Sequence, residues 1–196
     1  MPRPSLEDAR TRILAAGLTL FARRGTERVN SNAIARRAGL GIGTFYKHFP
    51  DKYALLHEIG LRTLAGIQQA RRDAVARAGP DPVSQVDHAI RAVVRFAERH
   101  PDAYRVSFGR ERIGSAGSQP VVSESSRPTA RALAALQQRG RLDPDLDVEL
   151  AARAHAAMEV STLLWWLENP SRAPAEDLVD TLVRLHPAVA CRIDAG

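Results

Sequence analysis

Cysteine is almost absent from this chain: Cys191 is the only one in 196 residues, which excludes an intrachain disulfide and a cysteine-based zinc site and fits a reducing compartment. Lysine is nearly as scarce, with Lys47 and Lys52 alone, and aromatic residues make up 5% of the sequence. No apolar run approaches the ~18 residues of a membrane span. The stretch nearest to an export signal, "ILAAGLTLFA" (13–22), follows Glu7 and Asp8, precedes Arg23 and Arg24, and lacks a small-residue cleavage site. These absences predict a soluble cytoplasmic protein without a membrane partner. Chemistry is equally thin. There is no Gly-Lys-Ser/Thr phosphate loop and no Gly-x-Ser-x-Gly nucleophile elbow, and the six histidines form no i, i+4 pair or cluster with metal spacing. Catalytic residues, a metal and a cofactor are therefore all expected to be lacking, and an enzyme is the lesser reading.

What is present is positive charge in one place. Residues 1–60 carry ten Lys or Arg against five Asp or Glu, whereas residues 61–196 carry eighteen against seventeen. A surplus confined to the first third is expected if that third alone meets a polyanion.

Helical periodicity runs throughout, with no repeats and no convincing alternating strand, so the fold class is all-α with about nine helices. Ser5 caps the first helix, whose inner face is Ala9, Ile13, Ala16, Leu20 and Phe21, and Gly25 ends it. Asn30 caps a short second helix with Ile34, Ala35 and Ala38 inward, Gly39 closes it, and a third runs from about Ile42 to Phe49. Pro50-Asp51 starts a long fourth helix to about Ala78, with Leu56, Ile59, Leu64, Ile67, Ala70 and Ala74 as its stripe. After "AGPDP" (78–82) comes a fifth helix on Val83, Val86, Ile90, Val93 and Ala97, and another starts at "HPDAY" (100–104). The segment "IGSAGSQP" (113–120) is the most loop-like, and further helices follow over about 124–139, 147–168 and 175–186.

The stretch "GLGIGTFYKHF" (39–49) has glycines at 39, 41 and 43. A dinucleotide loop needs a preceding strand, but "NAIARRA" has helical spacing. A helix-turn-helix accounts for each residue instead. Ala35 lets two helices cross closely, Gly39 takes a left-handed turn, and Phe45 and Phe49 anchor the third helix. Thr44, Tyr46, Lys47 and His48 then offer hydroxyl, cationic and imidazole groups to phosphates or base edges, Gly43 leaves room for close backbone approach, and Ile42 suits a thymine methyl.

The run "GTERVNSNAIARRAGLGIGTFYKHFPDKYALL" (25–56) resembles the DNA-binding region of the TetR/AcrR family of bacterial transcriptional regulators. The family pattern is matched by Ile34-Ala35, Ala38-Gly39-Leu40, Gly43-Thr44-Phe45-Tyr46, His48-Phe49 and Lys52. The resemblance implies a DNA-binding domain over 1–50 and a helical effector-binding and dimerisation domain over 51–196. It places the DNA contacts on Ser31, Asn32, Ile42, Gly43, Thr44, Tyr46, Lys47, His48 and Lys52. Two positions depart from it: Gly41 stands where a capping Ser is common, and Ser31 where an apolar residue is common.

Beyond residue 60 the resemblance is one of layout. The alanine-rich 151–166 helix, with Leu178, Leu182 and Leu185 of the next, suits a four-helix interface with a second copy of the chain. A pocket among helices four to eight, with Phe96, Tyr104, Phe108, His155, Met158, Thr162 and Trp165 as candidate lining, suits a small hydrophobic or aromatic effector. The whole reads as a sequence-specific regulator, a dimeric repressor released from a palindromic operator by that effector. The alternative is an architectural DNA binder without sequence preference.

Overall fold

The computed structural model describes residues 6–109 and 119–192. The expected Ser5 cap and residues 113–118 of the loop-like segment lie outside them. Ten α-helices follow in order: α1 Leu6–Arg24, α2 Ser31–Arg37, α3 Ile42–His48, α4 Lys52–Val75, α5 Pro82–Arg99, α6 Pro101–Phe108, α7 Gln119–Gln138, α8 Val148–Glu168, α9 Ala175–Arg184 and α10 Pro187–Ala190. The described residues contain no strand, only an isolated antiparallel bridge between Leu142 and Arg192. The all-α expectation therefore holds. The helix expected from Glu124 starts earlier, at Gln119, because Pro120 falls in a first turn whose N–H groups have no intrahelical acceptor. The extra helix, α10, is a single turn, too short for a period to declare itself. No described helix is long and apolar enough to cross a membrane.

The chain divides into two compact units, Met1–Thr63 with Asp102–Gln119, and Leu64–Pro101 with Pro120–Gly196. Helix α4 contributes to both. In the first unit, the predicted inner face of α1 is buried throughout, from Ala9 to Phe21, and from Ile13 onward it joins Ile34, Ala35, Phe45, Phe49 and Leu55 in one core. Asn30 caps α2 as expected, its side chain accepting from the Ala33 N–H at 2.9 Å, and Asp51 accepts from the Ala54 N–H at 2.7 Å to start α4. Each satisfies a first-turn donor that has no helical partner.

In the second unit α5 packs against α8, α9 and α10, burying Val86, Ile90, Val93, Val94 and Ala97. Asp81 caps α5 and Asp147 caps α8 through side chains that accept first-turn N–H groups. Arg91 of α5 holds Asp87 one turn away and pairs with Glu176 of α9. Leu133, Leu142, Leu163 and Leu182 are fully buried.

Candidate nucleic-acid interface and ligand cavity

The turn between α2 and α3 is built on Gly39, whose φ of +66° lies in the left-handed region where a side chain is strained. The Leu40 N–H reaches back to the Ala35 carbonyl at 2.9 Å and the Gly39 N–H to Arg36 at 3.1 Å, closing α2 while reversing the chain. Phe45 is fully buried and stacks on Phe49 at 6.1 Å between ring centroids. With these two rings pinned inward, α3 turns Gly43, Tyr46 and Lys47 outward, Tyr46 being 55% exposed. Arg10 of α1 locks the far end of α3: it donates to the His48 carbonyl at 3.5 Å, lies over the Phe49 ring, and pairs with Glu58 of α4 at 3.1 Å.

The nine residues singled out from sequence fall into three groups. Asn32, Gly43, Tyr46 and Lys47 are exposed, and Ser31, Ile42, Thr44 and His48 are half-buried around them. Lys52 is engaged inside its unit, where its ammonium donates to the carbonyls of Thr26 at 2.9 Å and Glu27 at 3.4 Å. The basic surplus extends this surface, since Arg28, Arg36 and Arg37 are exposed nearby in sequence.

Gly41 occupies the cap position of α3 with extended backbone (φ −71°, ψ 151°) and supplies no side-chain hydrogen bond; a Cβ built there meets nothing within 4 Å. Gly41→Ser is therefore expected to add a few tenths of a kcal/mol to stability through a new cap, measured as a higher urea midpoint at unchanged slope.

The second unit contains a cavity of about 860 Å³ lined by α4, α5, α7, α8 and the 186–188 turn. Its walls include Val75, Val86, Ile90, Leu133 and Leu136. Exposed arginines also line it, Arg72 on α4, Arg127 and Arg131 on α7, and Arg139 just past the end of α7. In its buried part sits a polar group of four: Arg71, His155, Glu159 and His186. One guanidinium nitrogen of Arg71 donates to both oxygens of Glu159, at 2.5 and 2.7 Å. Glu159 is 6% exposed in its side chain, and His155 Nε2 lies 3.8 Å from it. The His155 and His186 rings meet edge-on, with centroids 4.4 Å apart.

Burial holds both imidazoles below their ordinary pKa. For His155 the carboxylate of Glu159 partly opposes this and Arg71 reinforces it; for His186, His155 and Arg71 add to burial and bring it to about 3. Both rings are neutral in the folded protein at pH 7, whereas the unfolded chain binds protons below about pH 6.5. Stability from this source is thus complete above that pH and is lost as pH falls toward 3, with a slope of at most about 1.4 kcal/mol per pH unit for each ring. Urea midpoints taken from pH 7.5 down to pH 5 are expected to fall, and to fall less steeply in His186→Gln.

Of the seven pocket residues expected from sequence, His155 alone lines this cavity. Tyr104 and Phe108 are buried in the first unit, stacked on each other at 4.9 Å. Phe96 stacks on His100, and a Cβ at Gly66 would come within 2.9 Å of its ring. Met158 and Thr162 are half-buried on α8. Trp165 is 48% exposed and lies under Arg172. The residues that sequence reasoning passed over are Arg71, Glu159 and His186. The i, i+4 spacing of His155 and Glu159 was a usable signal; nothing local links either to Arg71, 88 positions away from Glu159.

Residues 13–59 match the family model of the bacterial regulatory proteins of the tetR family. Over 181 residues the chain is 30% identical to the HTH-type transcriptional repressor KstR of Mycolicibacterium smegmatis, a match covering 91% of this chain and 86% of the relative. Its fold is similar to that of the fatty acid degradation regulator FadR from Bacillus halodurans, with a TM-score of 0.79 at 16% identity over 98% of this chain and 100% of that one. It is also similar to Thermus thermophilus FadR, a repressor solved in complex with lauroyl-CoA, with a TM-score of 0.70 at 24% identity over 95% and 97% of the two chains.

Proposed function

This chain belongs to the TetR family of bacterial transcriptional regulators, and from that premise we propose that it is a homodimeric repressor which a small molecule releases from a palindromic operator. In this reading residues 1–50 read DNA, while residues 51–196 hold the effector and the second copy.

The observation that carries the DNA half is the exposed edge of α3, where Gly43, Tyr46 and Lys47 project from a helix pinned by Phe45 and Phe49. A single helix of seven residues reads few bases, and two copies ~34–36 Å apart read two half-sites. Dimerisation is thus part of the mechanism. An exposed stripe on α8 suits it: Leu150, Ala154, Ala157, Ser161 and Trp165 recur at helical spacing facing away from the buried side of that helix.

The cavity supports an effector with an apolar body and an anionic group: apolar walls take the body, and Arg72, Arg127, Arg131 and Arg139 suit the anion. An acyl-CoA thioester has both parts and is the natural first probe. The effector must favour the form of the dimer whose α3 helices are wrongly spaced, since equal affinity for both forms shifts nothing. Helix α4 runs from the first unit into the second and serves as the lever.

The test is fluorescence anisotropy on the DNA upstream of the protein's own gene, against a scrambled duplex, at two salt concentrations. Tight binding to the native duplex alone, reversed by lauroyl-CoA, is the expected result. Tyr46→Phe and Lys47→Ala should weaken it with the dimer intact, and losing Lys47 should reduce the salt slope by about one unit. Unchanged affinity in both variants overturns the recognition surface. Equal, salt-sensitive binding to both duplexes favours the architectural alternative.

A further inference from the structure

The chain has two lysines, Lys47 and Lys52, and the structure employs them differently. Lys47 projects from α3 into solvent. Lys52 is half-buried: its ammonium donates to the Thr26 carbonyl at 2.9 Å and the Glu27 carbonyl at 3.4 Å, and lies 5.0 Å from the centroid of the Tyr53 ring. An ammonium has three N–H groups and no acceptor. Two carbonyls and a ring within cation–π range occupy the surroundings of this one, and a phosphate reaches it only by displacing them.

Its place in its own helix points the same way. Lys52 is the first residue of α4, whose first turn holds no acidic side chain, and the N-terminal end of a helix disfavours a cation. The loop carbonyls just past the end of α1 offset that cost. What they gain in return is a fixed entrance to α2. The Thr26 carbonyl also accepts the Val29 N–H at 3.3 Å, Val29 is buried in the core of the first unit, and Asn30 caps α2 with its side chain. Ser31 and the exposed Asn32 follow directly, and α3 packs on α2.

We propose that Lys52 is a positioning residue for operator binding: it sets the α1–α2 loop, and through it the surface formed by α2 and α3, without itself touching DNA. The family pattern taken alone counts it among the DNA contacts; the geometry gives its cation to the protein's own backbone. The inference rests on the reading of α3 as the DNA-contacting helix, and part of its test is made without DNA.

Having only two lysines makes the test direct. Wild-type protein labelled with 15N in its lysine ammonium groups gives two side-chain signals, and the one lost in Lys47→Ala assigns both. On adding the native upstream duplex the Lys47 signal should shift and the Lys52 signal stay in place. Lys52→Met is expected to bind that duplex about tenfold more weakly, the effect of about one charge-assisted hydrogen bond. Its salt slope should stay within about half a unit of wild type, since a lost phosphate contact removes about 0.9 of a unit. In the free variant the Val29 amide should exchange with solvent faster, while the Phe49 amide, bonded to the Phe45 carbonyl at 3.0 Å, keeps its wild-type rate. Lys52→Arg should restore both affinity and Val29 protection. Should Lys52→Met fold poorly, both amides would speed up together, and the wild-type ammonium signals still decide.

A Lys52 signal that shifts with DNA, a slope lower by about one unit, unchanged affinity in Lys52→Met, or unchanged Val29 exchange overturns the proposal. A Lys47 signal that stays in place with DNA bound overturns the recognition surface instead, and leaves Lys52 to be judged by the same readings. Equal binding to the scrambled duplex overturns the operator reading alone, because signals and slope are read equally well on that duplex. Binding to neither overturns both.

Discussion

Arg71→Met is expected to destabilise the second unit by about 3–5 kcal/mol at pH 7, more than any surface substitution in the chain. The reason is the charge left behind. Glu159 is 6% exposed, and Arg71 supplies its only hydrogen bonds among those described, at 2.5 and 2.7 Å. Stripped of that partner the carboxylate is left without a counter-charge in a poor solvent. Glu159→Gln is expected to cost less, because Arg71 is 20% exposed and its charge keeps a path to water. The double variant Arg71→Met, Glu159→Leu should return most of the loss, since exchanging a buried pair for apolar groups is often nearly neutral. Chemical denaturation of the three variants at pH 7 measures all of this. A single-variant loss below about 1 kcal/mol would mean that water reaches Glu159 freely.

Gly43→Ala is expected to move stability and DNA binding in opposite directions. Gly43 lies inside α3, and a Cβ built on it meets nothing within 4 Å. Gly43 is the second residue of α3, where alanine in place of glycine adds a few tenths of a kcal/mol, less than in a helix middle, so the thermal midpoint of the first unit should rise slightly. The same methyl stands on the exposed edge beside Tyr46 and Lys47, where a DNA backbone is proposed to approach the helix closely. Operator affinity should fall at least tenfold, about 1.4 kcal/mol. A purely structural glycine would show the gain without the loss. Anisotropy titrations beside thermal melts of one preparation separate the two.

The helices were legible because each rests on local chemistry. Asn30, Asp81 and Asp147 cap helices as their side chains dictate. Gly25 and Gly39 take positive φ where the apolar period stops. The five inner residues of α1 share a face because their spacing leaves no alternative. The same logic makes α3 readable: Phe45 and Phe49 must go inward, so Tyr46 and Lys47 go outward. Lys52 was not readable in this way, since its engagement with the Thr26 and Glu27 carbonyls depends on a loop some 25 positions earlier.

The sequence by itself determined the all-helical class, the Asn30 cap and the Gly39 turn, the outward face of Lys47 on α3, and family membership through the matched pattern of residues 25–56. Each is set by period, by a neighbour within four residues, or by a glycine's freedom. Only the tertiary structure decided where a ligand has room. The cavity joins four helices and a turn from distant parts of the chain. It retains His155 and passes over six other residues that looked equally suitable. Its polar floor pairs Arg71 with a carboxylate 88 positions away. Helical spacing says which side of a helix is apolar; which other helix covers it, and where the cover fails to fill the space, depends on how whole elements pack.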